Sequence, residues 1–246
     1  AYSAAIMVKS MPNMGGFAIG IVIGLIISAI AALIVSIPTL RLRGDYLAIA
    51  TLGFSEIIRI IVLNLKITNG AAGLSGIAKL TTWPLLFVLM VASIVIVTNF
   101  SRSRQGRACI SIREDEIASE AMGVNTTKYK TLAFVIGAML ASVAGALYAC
   151  NFFVIQPDLF NFNKSIDILV MVVFGGMGSM TGSVIAAAFI GVLNMLLQNF
   201  SSIRMVIYGV VLVAIMIFRP GGLLGTKEFT FSALFKRRKK KGGEKE

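Results

Sequence analysis

The sequence predicts an all-α protein, a polytopic bundle of transmembrane helices. Its 246 residues are 57% hydrophobic and 14% charged, and the mean hydropathy is +0.88. A soluble domain carries about 25% charged residues. Several apolar runs can each cross the roughly 30 Å hydrocarbon core of a bilayer, and loops rich in Lys and Arg separate them. These observations indicate one membrane domain of about six or seven apolar segments.

Five apolar runs are long enough, or nearly so, to span the bilayer as helices. The predicted spans are residues 17–37, 46–63, 85–100, 131–153 and 203–218. Pro38 is expected to end the first of them, because proline lacks the N–H group that a helix needs. Residues 64–82 are predicted to form a loop rich in Gly and Ala, followed by Trp83 as an aromatic residue at the membrane interface.

Small residues recur every four positions in two of these spans, a spacing that lets a neighbouring helix approach closely. They are Gly16, Gly20, Gly24, Ser28, Ala32 and Ser36 in the first span, and Ala133, Gly137, Ala141, Gly145 and Ala149 in the fourth. Residues 1–8 are apolar but too short to span a membrane. We expect them to be the end of a helix whose beginning is absent, so that the sequence is N-terminally incomplete.

The distribution of positive charge orients the predicted helices. The net charge is +12, and most of the 23 Lys and Arg lie near Arg41 and Arg43, in the polar segment 101–130 and in the tail 227–246. Placing these three regions in the cytoplasm satisfies the positive-inside rule. The tail, which ends KRRKKKGGEKE, is expected to contact anionic lipid. Binding to nucleic acid is not expected, because no aromatic residues alternate with the basic residues and the sequence predicts no nucleic-acid-binding fold.

The region between the fourth and the last span must return the chain to the outside, either as two short spans or as a re-entrant pair. It contains the turn GGMGSMTGS, residues 175–183. A broken helix there could expose backbone groups that bind the carboxylate or ammonium of a zwitterion. The interpretation we prefer is a tight turn in which glycine permits close packing. The residues in question are Gly175, Gly176, Gly178 and Ser179.

The second span carries a charge pair, Glu56 and Arg59, on one helical face. Thr51 and Ser55 add polarity to that helix. Two interpretations stay open. In one, the polar face lines a transport pathway, because charges inside a membrane usually face the interior of a bundle. In the other, Glu56 and Arg59 form a structural ion pair or lie near an interface.

The polar segment 101–130 is predicted to contain a short capped helix at the membrane surface. The residues Ser111 to Glu114 match the capping box S-x-x-E, and acids crowd the expected N-terminal end of the helix, where the dipole favours them. Gly123 is placed to end the helix in a left-handed conformation, and Asn125 or Thr126 could cap the next helix. Such a helix is expected to dock onto a partner rather than to be a simple solvated loop.

Several kinds of chemistry are excluded. The sequence has no histidine, which removes histidine-based acid–base catalysis and histidine metal sites. Cys109 and Cys150 are expected on opposite sides of the membrane, so we predict no disulfide. Residues 221–227, GGLLGTK, have the wrong order for a P-loop, and no strand precedes them. The chain is therefore expected to bind no cofactor and to catalyse no reaction itself.

Three further stretches resemble the LivM-type permeases of branched-chain amino acid uptake, a family of ABC importer permeases. They are GDYLAIATLGFSEIIR from residue 44, the turn GGMGSMTGS, and FRPGGLLG after the last span. In addition, the stretch REDEIASEAMG resembles the coupling segment of such permeases. The likeness covers nearly the whole chain, in the order of the family.

The resemblance implies a role for each of these stretches. Residues 1–226 form the transmembrane permease domain in the bacterial plasma membrane, and 101–130 form its cytoplasmic coupling loop. The coupling residues are Glu114, Glu116, Glu120, Ala121 and Gly123, and the pathway or family-motif residues are Asp45, Tyr46, Thr51, Glu56 and Arg59. The implied partners are a second permease subunit, two ATPase subunits that hydrolyse ATP, and an extracytoplasmic substrate-binding protein.

Two alternatives remain open. Similar permeases carry urea or short amides, so the cargo could belong to that class. A self-sufficient secondary transporter that uses Glu56 and Arg59 for ion or proton coupling is the other possibility, and it would need no ATPase.

Overall fold

The computed structural model of the chain describes residues 1–40, 42, 45–176 and 178–196. Within them the structure is mainly α-helical, as predicted. The helices are α1 (Tyr2–Ser10), α2 (Met14–Thr39), α3 (Asp45–Asn64), α4 (Trp83–Arg102), α5 (Arg104–Glu114), α6 (Glu116–Ala121), α7 (Thr126–Ala149), α8 (Phe162–Gly175) and α9 (Met180–Leu196). The predicted last span, the basic tail, Arg41 and Arg43 lie outside the described residues.

Among the described residues, four helices, α2, α3, α4 and α7, are long and apolar enough to cross a membrane. They confirm the four predicted spans that the structure describes, although the helix ends differ from the predicted ends by a few residues. Helix α2 passes through Pro38 and ends one residue later, where the hydroxyl of Thr39 donates to the carbonyl of Val35 at 2.7 Å. Helix α7 ends at Ala149 instead of continuing to residue 153.

The predicted loop 64–82 is more ordered than expected. It contains two 3₁₀ turns, Lys66–Thr68 and Gly70–Ala72, and the short strand β1 (Leu74–Ser75). This strand pairs antiparallel with β2 (Val154–Ile155), which follows α7, and a third 3₁₀ turn covers Pro157–Phe160. The two strands lie at the end of the first four spans opposite to the polar segment 101–130, and we call this end the sheet end.

The described chain divides into two compact units, Ala1–Phe162 and a second that begins at Asn163. The core of the first unit lies at the sheet end, where α1, α2 and α7 meet the strands. Its buried residues are Ala4, Ala5, Val8, Phe17, Leu74, Ile77, Ala146, Ala149, Cys150 and Ile155.

The glycine spacing predicted to permit close packing does so in α2. A Cβ atom built on Gly20 lies 2.8 Å from the Cα atom of Ala4. One built on Gly24 lies 2.7 Å from the hydroxyl oxygen of Ser142 in α7. In α7 the regularly spaced small residues are buried only near the sheet end, whereas Ala133, Gly137 and Ala141 are exposed. Small residues therefore bring α1, α2 and α7 together at one end.

The close contact at Gly20 leads to a stability prediction. Gly20→Ala should destabilise the fold by about 1–3 kcal/mol, because the new methyl group meets backbone rather than a movable side chain. The matched control is Gly53→Ala in α3, where a Cβ atom meets nothing within 4 Å. The control should be neutral or stabilising by up to ~1 kcal/mol. Thermal unfolding in detergent, followed by circular dichroism, measures both, and equal midpoints for the two variants would contradict the packing.

Candidate functional site

The polar segment 101–130 is an ordered helical structure that begins with a sharp corner between α4 and α5. The hydroxyl of Ser103 caps α5 by accepting a hydrogen bond from the amide of Gly106 at 3.1 Å. A Cβ atom on Gly106 would collide with the carbonyl oxygen of Phe100. Only glycine allows the backbone of α5 to turn back this closely on the end of α4.

The capping box predicted at Ser111 is wrong. Ser111 and Glu114 lie in the last turns of α5, so Glu114 is at a helix C-terminus and not at an N-terminus. The side chain of Ser111 donates to the carbonyl of Ala108 at 2.9 Å. Asp115 is the actual cap, because its carboxylate accepts from the amide of Ala118 at 2.9 Å and starts α6. The segment therefore contains two short helices instead of one helix of about three turns.

The predictions for the end of the segment are confirmed. Gly123 has φ +83° and follows α6 in a Schellman motif. The amide of Val124 donates to Ser119 and the amide of Gly123 donates to Glu120, each at 3.0 Å. Asn125 then caps α7 by accepting from the amide of Lys128 at 3.0 Å. The connection from α6 to α7 is consequently short, and hydrogen bonds cap both helix ends.

Side-chain contacts also join α6 to α7. The ammonium of Lys130 lies 2.6 Å from the carboxylate of Glu116, and both side chains are partly buried. Ser119 is buried on the inner side of α6. The thiol of Cys109 in α5 donates to the carbonyl of Tyr129 at 3.5 Å, and burial raises the pKa of that thiol. Helices α5, α6 and the start of α7 thus contact one another as one structure.

Among the residues predicted to couple to a partner, Glu120, Ala121 and Gly123 are exposed on α6 and its end. Glu116 instead faces Lys130, and Glu114 pairs with Arg113 at 2.6 Å. Sequence reasoning missed two exposed apolar side chains in the same stretch, Ile117, which is 72% exposed, and Met122, which is 84% exposed. Their signal was available, since both interrupt a strongly polar stretch.

The charge pair of α3 belongs to a larger cluster. The guanidinium of Arg59 donates to Glu56 from Nε at 3.0 Å and to Asp158 from Nη1 at 2.7 Å. Asp158 lies in the 3₁₀ turn after β2, 99 positions away in the sequence, so no local pattern indicated it. The cluster connects the end of α3 to the sheet end of the first unit. All three side chains keep some exposure, and Asp158 keeps the most.

The other predicted motif residues of α3 are not brought to this cluster. Tyr46 is exposed about 20 Å away along the helix axis. The hydroxyl of Thr51 donates to the backbone of its own helix, to Leu47 at 3.0 Å and to Ala48 at 2.9 Å. The side chain of Asp45 lies outside the described residues.

The Gly-rich turn of the second unit has the geometry of close packing. A Cβ atom on Gly175 would lie 2.6 Å from the backbone of Gly182, so α8 and α9 touch through glycine. The hydroxyl of Ser179 accepts from the amide of Gly182 at 3.0 Å, and Ser179 is buried. Gly176 has φ +108°, and the amide of Gly178 donates to its carbonyl at 2.7 Å. Several backbone groups of the turn are therefore already hydrogen-bonded inside it.

No group of three or more metal-ligating acids, cysteines or histidines occurs among residues 1–40, 42, 45–176 and 178–196. Cys109 and Cys150 are free thiols, and Cys150 is completely buried.

Comparison with known proteins identifies the family. Residues 1–218 match the family model described as the branched-chain amino acid transport system permease component. The chain is 37% identical to the LivM permease protein of Salmonella typhimurium over 234 residues, which is 81% of this chain and 55% of that protein. It is 32% identical to BraD of Pseudomonas aeruginosa over 163 residues, 65% of this chain and 52% of BraD.

A further relative is the LivH permease protein of Escherichia coli, 32% identical over 148 residues, which is 59% of this chain and 47% of LivH. All three relatives carry the words "high-affinity branched-chain amino acid transport system permease protein" in their names. The chain thus spans about half the length of each of them. No solved structure matches it. The match over residues 1–218 shows that the chain belongs to the family of branched-chain amino acid transport permeases.

Proposed function

We propose that the chain is a transmembrane permease subunit of an ATP-driven importer that carries branched-chain or related amino acids across the bacterial plasma membrane. Family membership supports the cargo class. The names of its relatives describe high-affinity transport of these amino acids. The polar segment 101–130 and the C-terminus then face the cytoplasm, in agreement with the positive-inside rule.

The observation that carries the proposal is the surface of α6. A six-residue helix is marginal alone, yet α6 is fixed by caps at both ends and by the ion pair between Glu116 and Lys130. It nevertheless exposes Ile117 and Met122, which a purely solvated loop does not need. Glu120 is exposed on the same helix. This surface fits a groove on an ATPase subunit that is apolar at its floor and basic at its rim.

The partners follow from this assignment. ATP hydrolysis takes place on two separate subunits, and this chain binds no cofactor. A second permease subunit completes the membrane part, and relatives named LivM and LivH both resemble this chain. An extracytoplasmic binding protein supplies the amino acid at the sheet end. Closure of the ATPase pair moves α6, and α6 moves α7 with it because the two are joined.

Coupling can be tested at α6. Glu120→Lys reverses a charge on the docking surface, and Gly123→Val forces a branched residue to φ +83°, a strain of about 1–2 kcal/mol. In proteoliposomes containing the whole transporter, each variant should lower the number of amino acids imported per ATP hydrolysed by about tenfold, the effect of ~1.4 kcal/mol. Membrane insertion should be unchanged.

The control for this experiment is Gly53→Ala in the middle of α3, away from both α6 and the sheet end, where a Cβ atom meets nothing within 4 Å. It should leave the import ratio unchanged. A normal import ratio in both α6 variants, or an equally lowered ratio in the control variant, would contradict the assignment of α6 as the coupling helix.

A second experiment separates this proposal from a proton-coupled transporter. Glu56→Gln removes one charge from the cluster around Arg59, and Asp158→Asn is the matched control from the same cluster. If the cluster is structural, both variants should keep ATP-dependent uptake within about threefold, since ion pairs exposed to solvent contribute little.

The readout is uptake into proteoliposomes with ATP, with and without a protonophore. We expect no effect of the protonophore in either variant or in the parent. Uptake that needs a proton gradient but no ATP, and that is lost only in Glu56→Gln, would overturn the proposal.

A further inference from the structure

A cavity of about 520 Å³ opens at the sheet end, beside the start of α4 and the residue that follows Cys150 after α7. Its size is within the range of small-molecule sites, about 300–1,000 Å³. Its lining includes Lys79, Thr81, Thr82, Trp83, Leu86 and Asn151. None of these residues belongs to the surface of α6 or to the cluster around Arg59.

The wall of the cavity is fixed in place. Thr81 is only 7% exposed, and its hydroxyl donates to the carbonyl of Leu147 in α7 at 3.0 Å. This hydrogen bond attaches the segment before α4 to the end of α7. Trp83 and Leu86 are held by α4 itself, whose first helical hydrogen bond runs from the amide of Leu86 to the carbonyl of Thr82. The fold of this end of the unit therefore sets the positions of these lining residues.

Three polar groups of the lining are available to a ligand. Thr82 occupies the N-cap position of α4, but its side chain makes no capping hydrogen bond. Within the part of the chain that the structure describes, the ammonium of Lys79 and the side-chain amide of Asn151 have no ion pair or side-chain hydrogen bond. The lining contains one cation and no carboxylate. An anion with several oxygen atoms matches this set of donors.

The remaining lining identifies the class of anion. Trp83 is 86% exposed, and Leu86 adds an apolar surface beside it. The cavity lies where α4 begins, which is the level of the membrane–water interface for a spanning helix. A ligand with an anionic head and an apolar body, located at that level, is a phospholipid. The structural role of an interfacial tryptophan alone does not require the unpaired Lys79 or the cavity.

We propose that this cavity binds the phosphate of an anionic phospholipid headgroup. Lys79 pairs with the phosphate, Thr82 and Asn151 donate hydrogen bonds to its oxygen atoms, and Trp83 packs against the glycerol and the first acyl carbons. The site depends only on the position of α4 at a membrane surface. The proposed lipid site is therefore independent of whether α6 docks onto an ATPase.

Trp83 reports directly on the site, because it is the only tryptophan of the sequence. The full chain is placed in phosphatidylcholine vesicles that contain the same small fraction of brominated phosphatidylglycerol or of brominated phosphatidylcholine. We expect phosphatidylglycerol to be enriched about fivefold at Trp83, the effect of one lysine on an anionic lipid, and to quench its fluorescence correspondingly more. Lys79→Ala should abolish this preference, and Lys79→Arg should keep it.

The matched control is Lys66→Ala, which removes another exposed lysine near the same end without touching the cavity. It should leave the preference intact. If both brominated lipids quench Trp83 fluorescence equally in the parent chain, Trp83 is only an interfacial residue, and the proposal is overturned. A preference that survives Lys79→Ala would also overturn it, since general surface potential would then be the cause.

Two further arms test the source of the phosphate. Loss of the preference on addition of inorganic phosphate, but not of chloride at the same ionic strength, would assign the cavity to a free anion and contradict the lipid. Loss of the preference on assembly with the other transporter subunits would assign it to a protein partner and contradict the lipid as well.

Discussion

Close approach of helix backbones at a few small residues holds the first unit together. Within a bilayer, lipid tails are as apolar as the helices, so burial of apolar side chains gives little force between spans. Contact must come from van der Waals packing, and Gly20 and Gly24 allow it by bringing α2 against Ala4 and Ser142. The core at the sheet end forms around these contacts. In contrast, α3 and α4 have no buried residue in their apolar stretches, as expected of helices that face lipid or another subunit.

Helix α7 joins this core to the polar segment. Its last turn, with Ala146 and Ala149, is buried at the sheet end, and its first turn is fixed to α6 by the cap of Asn125 and the ion pair of Lys130. A displacement of α6 therefore has to move α7. This continuity gives a physical basis for the proposed lever, and it places the exposed Ile117 and Met122 where a force from a partner would enter.

The sequence could predict what depends on local pattern. Hydropathy found the four described spans, and Gly123 and Asn125 were correctly placed at helix ends, because caps involve neighbouring residues. The predicted capping box at Ser111 was wrong because Ser111 and Asp115 are both acceptable N-cap residues and lie within five residues of each other. The fold uses Asp115. The pairing of β1 with β2 and the contact of Arg59 with Asp158 join residues about 80–100 positions apart, and no periodicity reports such contacts. Nor does spacing alone tell whether a small-residue face is covered by the same chain, as the exposed Gly137 illustrates.

Site-specific cross-linking tests most directly whether the exposed Ile117 of α6 and Met122 at its end contact an ATPase subunit. Met122→Cys and Ile117→Cys are introduced into a Cys109→Ser background, with Cys150 kept because it is completely buried. Ile67→Cys serves as the control, since Ile67 is 69% exposed at the sheet end. With a short thiol-to-amine cross-linker in the assembled transporter, residues 117 and 122 should join to the ATPase subunit and residue 67 should not. Absence of an ATPase adduct at both α6 positions, or an equal yield at residue 67, would contradict the account.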